Sequence, residues 1–174
     1  MTIIVFGLPG SGKSTFAEAL AGKISATYIS SDQVRLNFIQ IDRYSGSAKY
    51  QVYEEMKALT IDALNKEENV VVDATFYREY LRDWFTLGLP GKIYFIEIFA
   101  DESVIRSRIT TKRRYSEADF DVYLKIKSSF EPMQKPHLTL NSGLLTLNEM
   151  LNYAEAHLLQ QCYGSNSDKP VNRR

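Results

Sequence analysis

Cysteine is nearly absent from this 174-residue chain. The single one, Cys162, cannot form an internal disulfide, so the chain reads as a protein of a reducing compartment, expected to be cytoplasmic. Long apolar runs are also missing. Those around Ile3 to Phe6, Val70 to Val72 and Ile93 to Ala100 fall well short of the roughly 18 residues a membrane span requires, so no membrane partner is expected. A secretory signal is not expected either, because the first chemical motif begins at Gly7 and leaves no room for a basic flank, an apolar stretch and a cleavage site. Neither sign of charge is in excess, with 21 Lys and Arg against 21 Asp and Glu; any affinity for nucleic acid or anionic lipid must come from a local patch. His137 and His157 have no metal-ligand companions at workable spacing, and Cys162 has no nearby base to make it a nucleophile.

What the chain does have is 44% apolar residues, enough to form a core without metal or disulfides at this length. Short β-rich runs alternate with longer stretches of helical spacing, the pattern of βαβ units in a parallel sheet. Strands are expected at Thr2 to Phe6, Thr27 to Ser30, Asn69 to Asp73, Lys92 to Phe99 and His137 to Asn141. Helices are expected at Lys13 to Ile24, with Phe16, Leu20 and Ile24 on one stripe, and at Lys49 to Lys66, Tyr77 to Leu87, Asp101 to Thr111 and Ser116 to Phe130. A last helix opens at Thr146 or Asn148 and runs to about Cys162. Asp101 and Ser103 are candidate caps, and Ser116 with Asp119 approximates a capping box. The expected organisation is one domain over residues 1–163 and a polar tail, 164–174, without fixed structure.

Gly7-Leu8-Pro9-Gly10-Ser11-Gly12-Lys13-Ser14-Thr15 matches G-x-x-x-x-G-K-[ST] and sits after an apolar strand, at the start of an amphipathic helix. Glycines here let the backbone bend into a nest of N–H groups around polyphosphate oxygens, and the helix N-terminus adds its positive dipole. Lys13 reaches the β- and γ-phosphates, Ser14 supplies a hydroxyl to Mg2+, and Thr15 helps fix the first helical turn. A nucleoside triphosphate is therefore the expected ligand. Nucleotide binding alone leaves kinases, motors, switches and binding modules open. The guanine-selective N-K-x-D pattern is missing, with Asn65-Lys66-Glu67-Glu68 a near miss at a helix end. Chain length suits a small kinase better than a motor.

Two acids stand at expected strand ends. Ser30-Ser31-Asp32-Gln33-Val34-Arg35 follows the second strand, where parallel sheets form their ligand crevice. Asp32 can accept the proton of an attacking hydroxyl, and Arg35, one helical turn on, can hold an anionic group of the acceptor; the plainer alternative is a helix cap and a surface ion pair. Asp73, closing Val70-Val71-Val72-Asp73, can orient the water shell of Mg2+ or simply cap the next turn. Thr75 and Arg78 lie just beyond, within reach of an acceptor. Arg106, Arg108, Lys112, Arg113 and Arg114 put five basic residues in nine positions, a segment able to close over transferring phosphate or to meet a nucleic-acid backbone. Trp84 and Phe85 read as core. Tyr77, Tyr80, Tyr115 and Tyr123 are read as packing residues, with base or sugar stacking the alternative.

The order of phosphate loop, Ile29-Ser30-Ser31-Asp32-x-x-Arg35, Val71-Val72-Asp73-Ala74-Thr75 and basic segment resembles the P-loop kinases that group 5'-hydroxyl polynucleotide kinase domains with zeta-toxin-like and small-molecule kinases. The resemblance covers residues 1 to about 135, and Phe130-Glu131-Pro132 is similar to a segment of predicted kinases in this group. It implies a P-loop NTPase fold, a five-stranded parallel sheet flanked by helices with a small basic lid, and an ATP- and Mg2+-dependent transfer to a hydroxyl. It further implies Asp32 as general base, Arg35 on the acceptor phosphate, and a lid arginine on the donor phosphates, for which Arg108 and Arg113 are preferred over Arg114. Phe76 stands where an Asn is common after the Asp-Ala-Thr run. The acceptor is expected to be a polynucleotide 5'-hydroxyl, with a small molecule such as a nucleoside, sugar or antibiotic as the alternative, and a non-transferring ATP-binding regulator as a further one.

Overall fold

Five strands, β1 (Thr2–Phe6), β2 (Thr27–Ser30), β3 (Val70–Asp73), β4 (Ile93–Phe99) and β5 (Leu138–Asn141), form one parallel sheet in the order β2-β3-β1-β4-β5. The computed structural model describes residues 1–37, 46–111 and 117–164. The helices are α1 (Lys13–Lys23), α2 (Ser31–Asn37), α3 (Gly46–Asn65), α4 (Glu79–Thr86), α5 (Glu102–Thr111), α6 (Glu117–Lys127) and α7 (Leu147–Gly164).

Alternation along the strands builds two cores. On one face Ile4, Phe6, Val72 and Phe95 pack with Val52, Met56, Leu81 and Phe85 of α3 and α4. On the other, Ile3, Val5, Val71 and Ile96 pack with Phe16, Leu20, Ala154 and Leu158 of α1 and α7. The central strand β1 is buried along its whole length, as a strand covered by helices on both faces must be. A third, smaller cluster of Ile105, Ile109, Phe120 and Tyr123 joins α5 to α6 and takes in Leu8.

The register places Ser30 beside Asp73, Val5 beside Asp73, and Phe6 beside Glu97. The carboxyl ends of β2, β3, β1 and β4 therefore lie along one edge. β1 continues into β2 on one side of the sheet while β4 lies on its other side, so the crevice at the end of β1 is the topological switch point where ligands of such sheets bind.

Every expected strand is present to within one residue. Residues 31–37 form a helix of their own, where only a helical turn was expected. The helix expected from Tyr77 begins at Glu79, because Phe76 has φ +43° and Arg78 is extended. The helix expected to reach Phe130 ends at Lys127, as the N–H groups of Ser129 and Phe130 turn back to the carbonyls of Ile126 and Lys127. Asp101 does open α5, its carbonyl accepting from Val104 and Ile105, whereas Ser103 lies inside the helix. The last helix is opened by Thr146: its Oγ1 accepts from the Glu149 N–H at 3.3 Å and its own N–H donates to Glu149 Oε2 at 2.8 Å, a reciprocal capping box. That box holds the Glu149 carboxyl below its usual range. The expected Ser116 cap, Lys112, Arg113, Arg114, Tyr115 and the tail from 165 onward lie outside the described residues. No helix among the described residues is long and apolar enough to cross a membrane.

Candidate active site

The loop between β1 and α1 is built by its glycines. Gly7 has φ +146°, and a Cβ there would lie 2.1 Å from the Ile98 carbonyl oxygen of β4, so only glycine lets the loop leave the sheet this closely. Gly12, at φ +88°, is the N-cap of α1, and no side chain caps that helix. The first N–H groups of α1 are thus left for an anion, as a phosphate nest requires. The Ser11 N–H returns to the Leu8 carbonyl at 3.2 Å, and the Gly7 N–H donates to the Thr75 carbonyl at 3.4 Å, tying the loop to the turn after β3. Pro9, Gly10, Lys13 and Ser14 are half-buried, Thr15 is exposed, and Ser11 is fully buried with an unpartnered hydroxyl among the described residues.

Arg108 of α5 lies against this loop. One guanidinium nitrogen donates to the carbonyls of Gly10 and Ser11 at 3.5 and 3.4 Å and to Ser142 Oγ at 2.9 Å, and the other donates to the Ser142 carbonyl at 2.7 Å. Ser142, just after β5, in turn donates to the Ser11 carbonyl. In this arrangement Arg108 braces the loop from its carbonyl side; contact with phosphate oxygens would exchange these bonds. Arg106 turns elsewhere, its guanidinium 3.9 Å from the Phe120 ring centroid.

Asp73 is buried at the end of β3. Its Oδ2 accepts from the Tyr28 hydroxyl at 3.0 Å, while Oδ1 is buried with no partner among the described residues. Burial first, and the neighbouring Asp73 charge second, push the Tyr28 hydroxyl far above its ordinary range, so it stays a neutral donor. Tyr28 packs in the core on the α1 side, so Asp73 and the start of α1 share a face. A buried carboxylate oxygen without a partner costs free energy unless something meets it. With the Ser14 hydroxyl in the first turn of α1, the donor set is two hard oxygens, which fits Mg2+. Among the described residues no group of three or more His, Cys, Asp or Glu is placed to hold a metal ion, so such a cation would depend on phosphate and water for its other ligands.

Asp32 is exposed, at 77% of its side chain, and accepts from Arg35 at 3.3 Å; its N–H donates to Ser30 Oγ at 3.3 Å. The two residues are brought together as an i, i+3 pair, a contact of small energetic weight in solvent. Ser30 neighbours Asp73 in register, so the pair stands at the strand end next to the buried acid. Thr75 is half-buried beside the loop, and Phe76 is buried. Phe76 fills space where a polar side chain was noted as usual: its ring meets Tyr53 and Phe85 at 5.1 Å each, and its N–H donates to the Tyr53 hydroxyl at 3.4 Å.

Arg78 donates to Glu131 Oε1 at 2.7 Å, and Glu131 Oε2 accepts from the Glu79 N–H at 2.7 Å. The carboxylate thus caps α4 and is held below its usual range, chiefly by that N–H and by Arg78. Phe85 is core, but Trp84 is only half-buried, with the Lys57 ammonium 4.8 Å from its ring centroid. Tyr123 stacks on Phe120, Tyr80 shares a hydrogen bond with Tyr50, and Tyr77 lies 5.7 Å from the Arg78 guanidinium. His137 pairs with Glu97 at 3.3 Å.

Sequence reading missed Tyr28, Ser142 and Arg82. Alternation along β2 puts Tyr28 on the same side as the core residues of α1, and spacing places Arg82 with Phe85 on the inner side of α4, so both carried a signal. Ser142 carried none, because its role arises only when β5 is placed beside β4.

The sequence profile of a family described as an AAA domain matches residues 2–133. Similar solved structures include a gluconokinase from Sinorhizobium meliloti 1021, 19% identical over 95% of this chain and 97% of that one with a TM-score of 0.74. The APS kinase CysC of Mycobacterium tuberculosis, in complex with AMPPNP and APS, is 19% identical over 91% and 96% with a TM-score of 0.71. A sugar kinase from Janibacter sp. HTCC2649 is 16% identical over 90% and 93%, also at 0.71. At these identities the likeness is one of fold. No curated protein matches the sequence.

Proposed function

The chain belongs to that AAA domain family, with the fold of P-loop kinases, and on this premise we propose that it is an ATP- and Mg2+-dependent kinase whose acceptor is a hydroxyl of a small molecule carrying an anionic group. The observation that carries the reading is the sharing of one sheet edge by the phosphate loop, the buried Asp73 and the exposed pair Asp32 and Arg35. A loop alone binds nucleotide; an exposed carboxylate two residues past the neighbouring strand end suits a base that must meet an incoming hydroxyl.

In this reading the loop amides and Lys13 hold the β- and γ-phosphates, and Asp32 takes the proton as the acceptor oxygen attacks the γ-phosphorus and the bond to the β,γ-bridging oxygen breaks, releasing ADP. Arg35 and Arg78 orient the acceptor's anionic group. Ser14 and the free oxygen of Asp73 would hold Mg2+, which supplies charge neutralisation at the phosphates. Arg108 keeps the loop in shape, and Arg113 of the basic segment is assigned to the phosphoryl group in transfer.

The comparisons favour a small acceptor over the polynucleotide 5'-hydroxyl expected first, since the gluconokinase, sugar kinase and APS kinase are all named for small molecules. The two described residues of the basic segment are consistent with the same choice. Of its described members, Arg106 lies over a ring and Arg108 faces the loop, so they do not form one face that tracks a nucleic-acid backbone. The test is Asp32→Ala. Transfer should be abolished while ATP affinity stays within a few-fold of the parent; parental transfer rates would remove Asp32 from its role.

A further inference from the structure

Arg82 is the largest fully buried side chain in the described protein, at 1% exposure, and the chemistry proposed above does not use it. Its guanidinium makes no ion pair among the described residues. Instead it donates to three main-chain carbonyls: Phe76 at 2.9 Å, Glu131 at 2.9 Å and Pro132 at 3.4 Å, with Nε unpartnered. It also lies 5.7 Å from the ring centroid of Phe6, the residue before the phosphate loop. Burial lowers its pKa. The charges of Glu79, Glu131, Glu97 and Asp83 offset that only in part; a buried cation with no carboxylate in direct contact is costly, and an apolar residue of similar size would fill the same space at less expense.

The carbonyls it joins belong to separate parts of the site. Phe76 lies in the turn after β3, in a left-handed conformation at φ +43° that L residues avoid. The preceding carbonyl, Thr75, accepts from Gly7 of the phosphate loop at 3.4 Å. Glu131 and Pro132 lie in the segment that returns from α6, where the Glu131 N–H donates to the Tyr77 carbonyl at 2.8 Å. One rigid, planar fork therefore spans the loop's anchor turn and the return from the α5 and α6 pair.

We propose that Arg82 is a positioning residue of the kinase site: it fixes the turn 75–78 against the segment 130–132, so that nucleotide held at the phosphate loop is felt in that return segment and the acceptor turn is presented in one geometry. The inference rests on the proposed nucleotide site, and its test separates the two. Amide hydrogen exchange is followed in residues 128–133 of the full chain with and without AMPPNP and Mg2+, in the parent and in Arg82→Lys, which keeps the charge and loses the fork. AMPPNP affinity, measured by calorimetry on the same samples, reports the nucleotide site alone. In the parent, nucleotide should slow exchange of this segment at least 5-fold; in Arg82→Lys that effect should vanish while affinity changes less than 3-fold. A parent segment indifferent to nucleotide, or an Arg82→Lys segment that responds as the parent does, overturns the proposal. Should Arg82→Lys fail to fold, Glu131→Ala, which removes the surface contacts to Arg78 and Glu79 and leaves the guanidinium buried, should retain at least half of the response; complete loss there would assign the coupling to the Glu131 carboxylate instead.

Discussion

The Tyr28 hydroxyl donates to one oxygen of Asp73 at 3.0 Å and leaves the other oxygen buried without a partner among the described residues. The bond fixes which oxygen is left without a partner. Tyr28→Phe removes the donor without opening a cavity and strands a second carboxylate oxygen, which should cost about 1–3 kcal/mol in urea unfolding. The Mg2+ concentration needed for half-maximal AMPPNP binding should rise several-fold, as Asp73 loses its fixed orientation. An unchanged Mg2+ requirement would separate Tyr28 from the proposed metal role.

Arg108 and Ser142 form a brace on the loop's carbonyl side, and their contributions should not be independent. Arg108→Ala and Ser142→Ala should each weaken AMPPNP binding, Arg108→Ala by about 10-fold or more. Combined, they should lose less than the sum of the two, with a coupling of about 1 kcal/mol, because each also touches the Ser11 carbonyl. Additive losses in a calorimetric double-mutant cycle would mean that the two act separately.

The capping box at the start of α7 offers a stability test remote from the site. Thr146→Ala should lower unfolding free energy by about 1 kcal/mol, read as a shift in denaturant midpoint at unchanged slope. Asn148→Ala, the other start considered from sequence, lies inside the helix and should change stability by less than about 0.5 kcal/mol.

The five strands and the phosphate loop were legible because each rests on a local signal. Val70 to Val72 is apolar on both faces, as a strand covered on both sides must be, and Gly7 to Thr15 encodes its own turn and helix start. The start of α4 was not, since Phe76 takes a positive φ in a turn whose N–H meets the Tyr53 hydroxyl of α3 and whose carbonyl meets the buried Arg82 guanidinium, contacts that only packing brings about. The same holds for the site. Asp32 with Arg35, and Asp73, could be read from strand ends; the Tyr28 bond and the Ser142 brace depend on which strands lie side by side. The sequence shows a basic cluster at 106–114, yet Arg106 and Arg108 face different partners, a distinction that packing decides.

Transfer of labelled phosphate from γ-labelled ATP tests the central claim most directly. The chain is incubated with Mg2+ and separate panels of anionic polyols, sugars, nucleosides and 5'-hydroxyl oligonucleotides, and the label is followed into acceptor or free phosphate. The expected result is labelled product in a small-molecule panel, lost in Asp32→Ala, with oligonucleotides poor acceptors. Label appearing only as free phosphate with every acceptor, or efficient salt-sensitive transfer to oligonucleotide ends alone, would contradict it.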